Sequence, residues 1–227
     1  RKAFRSLSSG LYIISSIGAD GRLCGCVVNT LLQVASVPAQ LLVSINKQNA
    51  TADAVSTSKR FCASVLSQDT TMDLIGTFGF KSSKDIDKFS EFDHDICESG
   101  LPRLTHDTLA TFEVSVDSTI DVGTHLVFIG TVKSAEVMGE GTPITYDYYH
   151  RVLRGKTPAK AASYNDGDDP AKDEIVEVEE TASSEQKVAW RCKMCGYTVE
   201  GYPDGLPEDW RCPLCGMGRD YFEKVLI

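Results

Sequence analysis

The chain has 227 residues, of which 42% are hydrophobic and 24% charged, and its formal net charge at pH 7 is −9. This length suits one large domain or a medium domain with a small one. No apolar run is long enough to span a membrane, no basic cluster favours nucleic acid, and the N-terminal stretch lacks the features of a signal peptide. We therefore expect a cytoplasmic protein.

The first 140 residues read mainly as β-strands. The Gly/Asp turn at 18–22 between two β-rich runs predicts a hairpin, and the Ala-rich stretch at 49–58 predicts a helix capped by Asn49 or Thr51. A second helix is expected within 69–79. The predicted strands cover 11–17, 23–30, 40–46, 60–66, 111–120 and 125–137. This order predicts a mainly β fold, an antiparallel barrel with short helices across its ends.

Most of the negative charge lies in one segment. Residues 165–189 contain nine acidic and two basic side chains, together with Gly, Pro and Ser. Such a composition cannot bury enough apolar surface to order itself, so we predict a flexible linker between a domain at 1–164 and a module at 190–227. A chain of this length spans roughly 25–30 Å.

Four of the eight cysteines lie in the C-terminal module. Cys192, Cys195, Cys212 and Cys215 form two C-x-x-C pairs separated by sixteen residues, and each pair is followed by Gly. This spacing is a strong signal for a tetrathiolate metal site. Spacing alone leaves both zinc and iron open, because both metals accept four sulfurs in a tetrahedron.

The four other cysteines, Cys24, Cys26, Cys62 and Cys97, are expected to be buried, inert thiols. Cys24 and Cys26 would share one face of a strand, so a binding or reactive role for that pair is the alternative.

Six aromatic residues surround the two cysteine pairs, and the segments "LPEDWRCPLCG" and "GRDYFEKV" resemble rubredoxin. The stretch between the pairs is shorter than in free-standing rubredoxins and is similar to versions fused to other redox proteins. The resemblance implies one iron held by Cys192, Cys195, Cys212 and Cys215. That iron would exchange single electrons and bind no substrate.

The preceding 160 residues resemble the flavin reductase-like family. The resemblance rests on the order and spacing of 20–66, "FGFKSSKDIDKF", "GTHLVFIGTV" and "TYDYYHRVLRGKTPAKAASY". It implies an FMN-binding split β-barrel and a homodimer. No G-x-G-x-x-G fingerprint is present, so NADH or NADPH is expected to bind transiently over the flavin.

The same resemblance, with the chemistry of the residues, predicts a flavin site. Val28, Asn29 and Thr30 would border the ring, and the segment from Ser44 to Thr51 would place the phosphate at a helix N-terminus. His125 would lie at the nicotinamide or substrate face, and His150 and Arg151 are further candidates for the flavin edge. The predicted cofactor-binding residues are Val28, Asn29, Thr30, Ser44, Asn46, Lys47, Thr51, Phe80, Lys81 and Ser82, with His125 as the catalytic candidate.

Together the two resemblances predict an oxidoreductase that takes hydride from NAD(P)H onto FMN and passes single electrons through iron to an external acceptor. The expected acceptor is a flavodiiron protein that reduces oxygen or nitric oxide in an anaerobe. One alternative is a flavoredoxin-like carrier that does not use NAD(P)H. The other is a flavin-binding barrel with a zinc ribbon for protein interaction.

Overall fold

A computed structural model describes residues 7–158, residue 161 and residues 188–226. Its largest sheet has seven antiparallel strands, which are β1 (Tyr12–Ile17), β2 (Leu23–Val28), β3 (Leu31–Ser36), β4 (Ala39–Asn46), β5 (Arg60–Leu66), β8 (Thr108–Asp121) and β9 (His125–Val137). Their order in the sheet is β2-β1-β5-β8-β9-β4-β3.

The sheet curls into a barrel around an apolar core. Cys26 and Val28 come from β2, at one end of the strand order, and Val43 comes from β4, near the other end, yet all three belong to one buried cluster. Register shifts in the β8–β9 ladder, at Glu113/Val114 and at Val116/Ser118, add twist where the two long strands bend. A small hairpin of β6 (His94–Ile96) and β7 (Pro102–Leu104) lies outside the main sheet.

Within the described residues, three α-helices cover the barrel: α1 (Ala50–Ser58), α2 (Met72–Phe80) and α3 (Tyr146–Arg151). Asn49 caps α1 by accepting a hydrogen bond from the Thr51 N–H, as the sequence predicted. In the part of the chain that the structure describes, no helix combines the length and apolar character needed to span a membrane.

Helix α2 packs tightly on β2. A Cβ at Gly25 would lie 2.6 Å from the Phe78 ring, so only glycine lets the helix approach this closely. The buried Lys88 Nζ donates to the carbonyl oxygens of Gly25 at 2.8 Å and Phe78 at 3.1 Å, which ties the strand to the helix. Burial lowers the pKa of Lys88 to about 8.

The C-terminal module is a separate three-stranded sheet in the order β11-β10-β12. Its strands are β10 (Val188–Cys192), β11 (Thr198–Glu200) and β12 (Phe222–Leu226). The Trp190 indole N–H donates to the Tyr202 carbonyl at 2.7 Å, and Trp210 packs edge-on against Tyr202 and Phe222. The aromatic residues thus surround the four cysteines.

The mainly β fold predicted from the sequence is confirmed, with two differences. Strands β3, β6 and β7 and helix α3 were not predicted. Strand β10 begins at Val188, two residues before the predicted start of the module. The predicted linker at 165–189 falls almost entirely on residues outside those described, so its flexibility and the domain boundaries stay predictions.

Candidate functional site

The four cysteine sulfurs of the module converge. All lie within 4.8 Å of one another. The Sγ atoms of Cys192 and Cys215 are 3.6 Å apart, and those of Cys195 and Cys212 are 3.4 Å apart. A tetrahedron with metal–sulfur bonds of about 2.3 Å has edges of about 3.8 Å, so this donor set fits a tetrahedral metal ion.

The two C-x-x-C-G turns are built alike. In each turn the glycine N–H donates to the first cysteine's carbonyl at 2.8 Å, Gly196 to Cys192 and Gly216 to Cys212. Both glycines have positive φ values, 84° and 74°, which other residues rarely adopt. The two turns therefore share one geometry because they share one sequence pattern.

A cavity opens between the barrel and helices α2 and α3. It is lined by Leu11, Cys26, Val27, Val28, Asn29, Thr30, Ser44, Ile45, Asn46, Asn49, Ile75, Gly79, Phe80, His125, Tyr146, Tyr149, Pro158 and Ala161. Mainly apolar walls with a few polar groups suit a flat aromatic cofactor such as a flavin.

Neighbouring strands hold the polar groups of this cavity in place. The Thr30 hydroxyl donates to the Ser44 carbonyl at 2.9 Å, which fixes the turn after β2 against β4. Asn46 pairs with His125 in the β4–β9 ladder. The His125 ring is 9% exposed, and its Nδ1 lies 2.8 Å from the Thr124 hydroxyl oxygen. The imidazole is thus held with a defined orientation.

The structure brings seven of the eleven predicted flavin-site residues to the cavity. They are Val28, Asn29, Thr30, Ser44, Asn46, Phe80 and His125.

The other four predicted residues are not among those that line the cavity. Lys47 forms an ion pair with Asp121 at 2.6 Å, and Thr51, in the first turn of α1, is fully buried. Lys81 lies 4.0 Å from Glu91, and the Ser82 hydroxyl accepts a hydrogen bond from the Lys84 N–H at 3.1 Å. Of the further candidates, Arg151 pairs with Asp147 on the surface, and His150 Nδ1 lies 2.8 Å from the Gly155 carbonyl oxygen.

Sequence reasoning missed the aromatic wall of the cavity. Tyr146 and Tyr149 come from α3, and Tyr149 is 2% exposed. The Tyr149 hydroxyl donates to the Lys156 carbonyl at 3.0 Å, and a Cβ at Gly155 would overlap the Tyr149 ring. The three tyrosines in "TYDYYHR" were the available signal, but their spacing does not show which of them faces inward.

The remaining cysteines are all buried. Burial raises the pKa of Cys26 to about 11, so this thiol stays protonated at neutral pH. A hydrogen bond between Cys62 and Cys97 raises the pKa of the Cys62 thiol and lowers that of Cys97.

Two family models match the chain. The flavin reductase like domain matches residues 4–156, and the rubrerythrin, rubredoxin-like domain matches residues 190–223. The chain belongs to the flavin reductase-like family and carries a rubredoxin-like domain at its C-terminal side. It is an oxidoreductase in which a flavin reductase is joined to an electron-transfer module. The flavin reductase like domain implies a flavin. The rubredoxin-like domain, with its four cysteines, implies iron. Cysteine spacing alone had left both iron and zinc open.

Known proteins match either nearly all of the chain or about two thirds to three quarters of it. The chain is 42% identical to high molecular weight rubredoxin of Moorella thermoacetica, over 99% of both chains. It is 40% identical to the ferric-chelate reductase (NAD(P)H) of Archaeoglobus fulgidus, over 72% of this chain and 96% of that protein. The crystal structure of flavin reductase HpaC with NADP+ superposes with a TM-score of 0.56 at 25% identity, covering 64% of this chain and 89% of that one.

Proposed function

We propose that this protein oxidises NAD(P)H at an FMN in the barrel cavity and delivers the electrons one at a time through the module's iron to an external protein. The observation that carries the proposal is that helix α2 borders both sites. Ile75, Gly79 and Phe80 line the cavity, and Phe80 also packs against the cluster that contains three of the four cysteine ligands.

A flavin and an iron together can convert the two electrons of NAD(P)H into two single-electron transfers. When bound, the flavin accepts a hydride, which carries two electrons, and gives up single electrons to iron. Each NAD(P)H would supply two electrons, enough for two successive one-electron reductions of ferric iron, and would release one proton. The four cysteine sulfurs would hold that iron, and each electron would leave to the acceptor.

The residues of the cavity have distinct tasks in this scheme. Asn29, Thr30 and Ser44 would hydrogen-bond the polar edge of the flavin ring, and Val28 and Phe80 would contact its faces. His125, held by Thr124, would border the nicotinamide. The apolar walls exclude water from the hydride-transfer site, which limits side reactions of the reduced cofactor.

The central experiment is an absorption spectrum taken anaerobically before and after the addition of NADH or NADPH. We expect the purified protein to show superposed flavin and ferric tetrathiolate bands, and both to bleach with at least one nucleotide. A spectrum that changes with neither nucleotide would leave the protein a carrier reduced by other proteins. A flavin spectrum without iron bands would favour a zinc ribbon.

The acceptor we propose is a flavodiiron protein that reduces oxygen or nitric oxide in the cytoplasm of an anaerobe. The support is the domain combination, since a one-electron carrier attached to a flavin reductase suits a partner that consumes electrons singly. Continuous oxidation of NAD(P)H that requires all of this chain, a purified flavodiiron protein and oxygen or nitric oxide would establish the partnership. Turnover at the rate without the flavodiiron protein would exclude it.

We further propose a homodimer. Strand β3 lies at the edge of the sheet and carries exposed apolar side chains, with Leu32 61% and Val34 44% exposed. Ile120, near the end of β8, and Val122, in the turn between β8 and β9, are also exposed. Such an apolar surface favours association with a second copy. Light scattering should give twice the chain mass, and Leu32→Lys together with Val34→Lys should give the monomer.

A further inference from the structure

The C-terminal module lies against one defined face of the barrel. The Lys156 Nζ of the barrel donates to the Lys193 carbonyl of the first C-x-x-C-G turn at 2.9 Å. A Cβ at Gly196 in the same turn would lie 2.7 Å from the Arg154 carbonyl oxygen. The segment at 154–156 is held in turn by Tyr149, so the contact rests on a buried anchor.

Helix α2 provides the second half of this face. A Cβ at Gly76 would lie 2.9 Å from Leu214 Cδ2, and the nearest atoms it would meet all belong to Leu214. Met72 and Phe80, one turn of α2 on either side of Gly76, pack against the cysteine cluster of the module. Gly76 thus forms a notch into which Leu214, between Cys212 and Cys215, inserts.

The same helix separates the module from the cavity. Ile75 and Gly79 line the cavity, whereas Gly76 faces Leu214. An α-helix with its side chains is about 10–12 Å across. The flavin cavity and the cysteine cluster are therefore separated by little more than one helix, with Phe80 in contact with both.

We propose that α2 and the segment at 154–156 form an intramolecular docking face on which the iron module receives electrons from the flavin, with Gly76 and Leu214 as the contact that sets the docked geometry. This inference rests on the proposed function, and it adds where the module binds. Each transfer oxidises the reduced flavin by one electron and reduces one ferric ion to ferrous iron. The module then passes that electron to the external protein acceptor.

The test uses the full chain loaded with flavin and iron, and it has two readouts. Gly76→Leu fills the notch, and Thr57→Arg, at an exposed position of α1, is the control. Small-angle X-ray scattering of the oxidised protein measures docking without any turnover. Stopped-flow absorption after mixing with NAD(P)H measures how fast iron is reduced once the flavin is reduced.

We expect Gly76→Leu to enlarge the radius of gyration and to slow iron reduction by about tenfold, the change in docked population expected from overpacking one contact. Adding Leu214→Ala should restore both quantities, because it vacates the space that the new leucine needs. Lys156→Glu, which places a carboxylate near the Lys193 carbonyl and leaves α2 unchanged, should slow iron reduction about threefold.

A radius of gyration and an iron-reduction rate equal to those of the Thr57→Arg control, in both Gly76→Leu and Lys156→Glu, would overturn the docking proposal. The proposed function can fail separately. If neither nucleotide reduces the flavin, the scattering experiment still measures docking, and if docking is absent, reduction of both cofactors by NAD(P)H still supports the proposed function.

Discussion

The two C-x-x-C-G turns have one sequence pattern, but the barrel contacts them at different positions. In the first turn the glycine, Gly196, abuts barrel backbone, and the residue before the second cysteine, Met194, is 45% exposed. In the second turn the equivalent residue, Leu214, is 1% exposed against α2, and Gly216 faces open space. The shared pattern determines metal binding, whereas the residues that the pattern leaves variable determine what each turn contacts.

The equivalence of the turns in metal binding is tested by Cys192→Ser and Cys212→Ser, one from each turn. We expect both variants to lose iron almost completely, because a tetrathiolate site with three sulfurs loses most of its affinity. Iron analysis and the visible spectrum measure this. Flavin reduction by NAD(P)H should persist in both, since neither cysteine lines the cavity. Full iron content in either variant would show that the turns differ already in binding the metal.

The difference between the turns is tested by Leu214→Glu and Met194→Glu. A carboxylate at Leu214 would be desolvated against α2, so we expect iron reduction by the flavin to slow by more than about tenfold. Met194→Glu, at an exposed position, should leave this internal step unchanged and slow the reduction of a protein acceptor. Stopped-flow absorption separates the two steps. If Leu214→Glu and Met194→Glu changed the rate of iron reduction by the flavin equally, the proposed difference between the two turns would be wrong.

Lys88 ties helix α2, which forms one side of the contact between barrel and module, to strand β2. Its folded-state pKa of about 8 lies below the ordinary 10.5, so between these pH values the unfolded chain binds more protons than the folded chain. The Lys88 contribution to the free energy of unfolding therefore rises with pH, by roughly 3 kcal/mol across this window. Lys88→Met should be less stable at neutral pH, because the carbonyl oxygens of Gly25 and Phe78 lose their hydrogen-bond donor. The free energy of unfolding of this variant should also lack the rise with pH.

Denaturant unfolding of both proteins from pH 7 to 10 measures the Lys88 effect. The groups that influence the Lys88 charge are Cys26, Cys24 and Lys81, and Cys26 titrates only near pH 11. Parallel stability curves for wild type and Lys88→Met would show that Lys88 titrates normally.

The first-turn side of the contact depends on Gly155. A Cβ there would overlap the Tyr149 ring and displace the segment that meets Gly196. We expect Gly155→Ala to cost about 2 kcal/mol and to lower the thermal midpoint of the barrel by about 4–8 °C. Gly79→Ala is a control for the loss of a glycine, because Gly79 has no positive φ and a Cβ there would meet its nearest atoms, those of Val27, at an ordinary 3.8 Å. Equal midpoints for the two variants would contradict the role of Gly155.

The sequence predicted those features that depend on local pattern. Cysteine spacing predicted the metal site, and β-rich runs of residues predicted six strands of the barrel. Strand β3 was missed because only Asn29 and Thr30 separate it from β2 and much of it is exposed, so it lacks the signature of a buried strand.

The features that the sequence did not predict depend on contacts between distant parts of the chain. The β8–β9 hairpin brings Asp121 beside Lys47, an ion pair that the sequence could not predict, and the role of Lys47 at the phosphate stays a prediction. Gly76 and Leu214 are 138 positions apart, and neither residue carries a local signal for the other. The family resemblance predicted seven of the residues that line the cavity, but it gave no information on how the module docks.

The most direct test of transfer between the two sites within one molecule is an anaerobic single turnover at several protein concentrations. The fully loaded chain is mixed with less than one equivalent of NAD(P)H, and the flavin and iron bands are followed together. Transfer on the docking face predicts that flavin bleaches first and that iron then bleaches at a rate independent of protein concentration. An iron-reduction rate proportional to protein concentration, or iron that stays ferric beside reduced flavin, would contradict it.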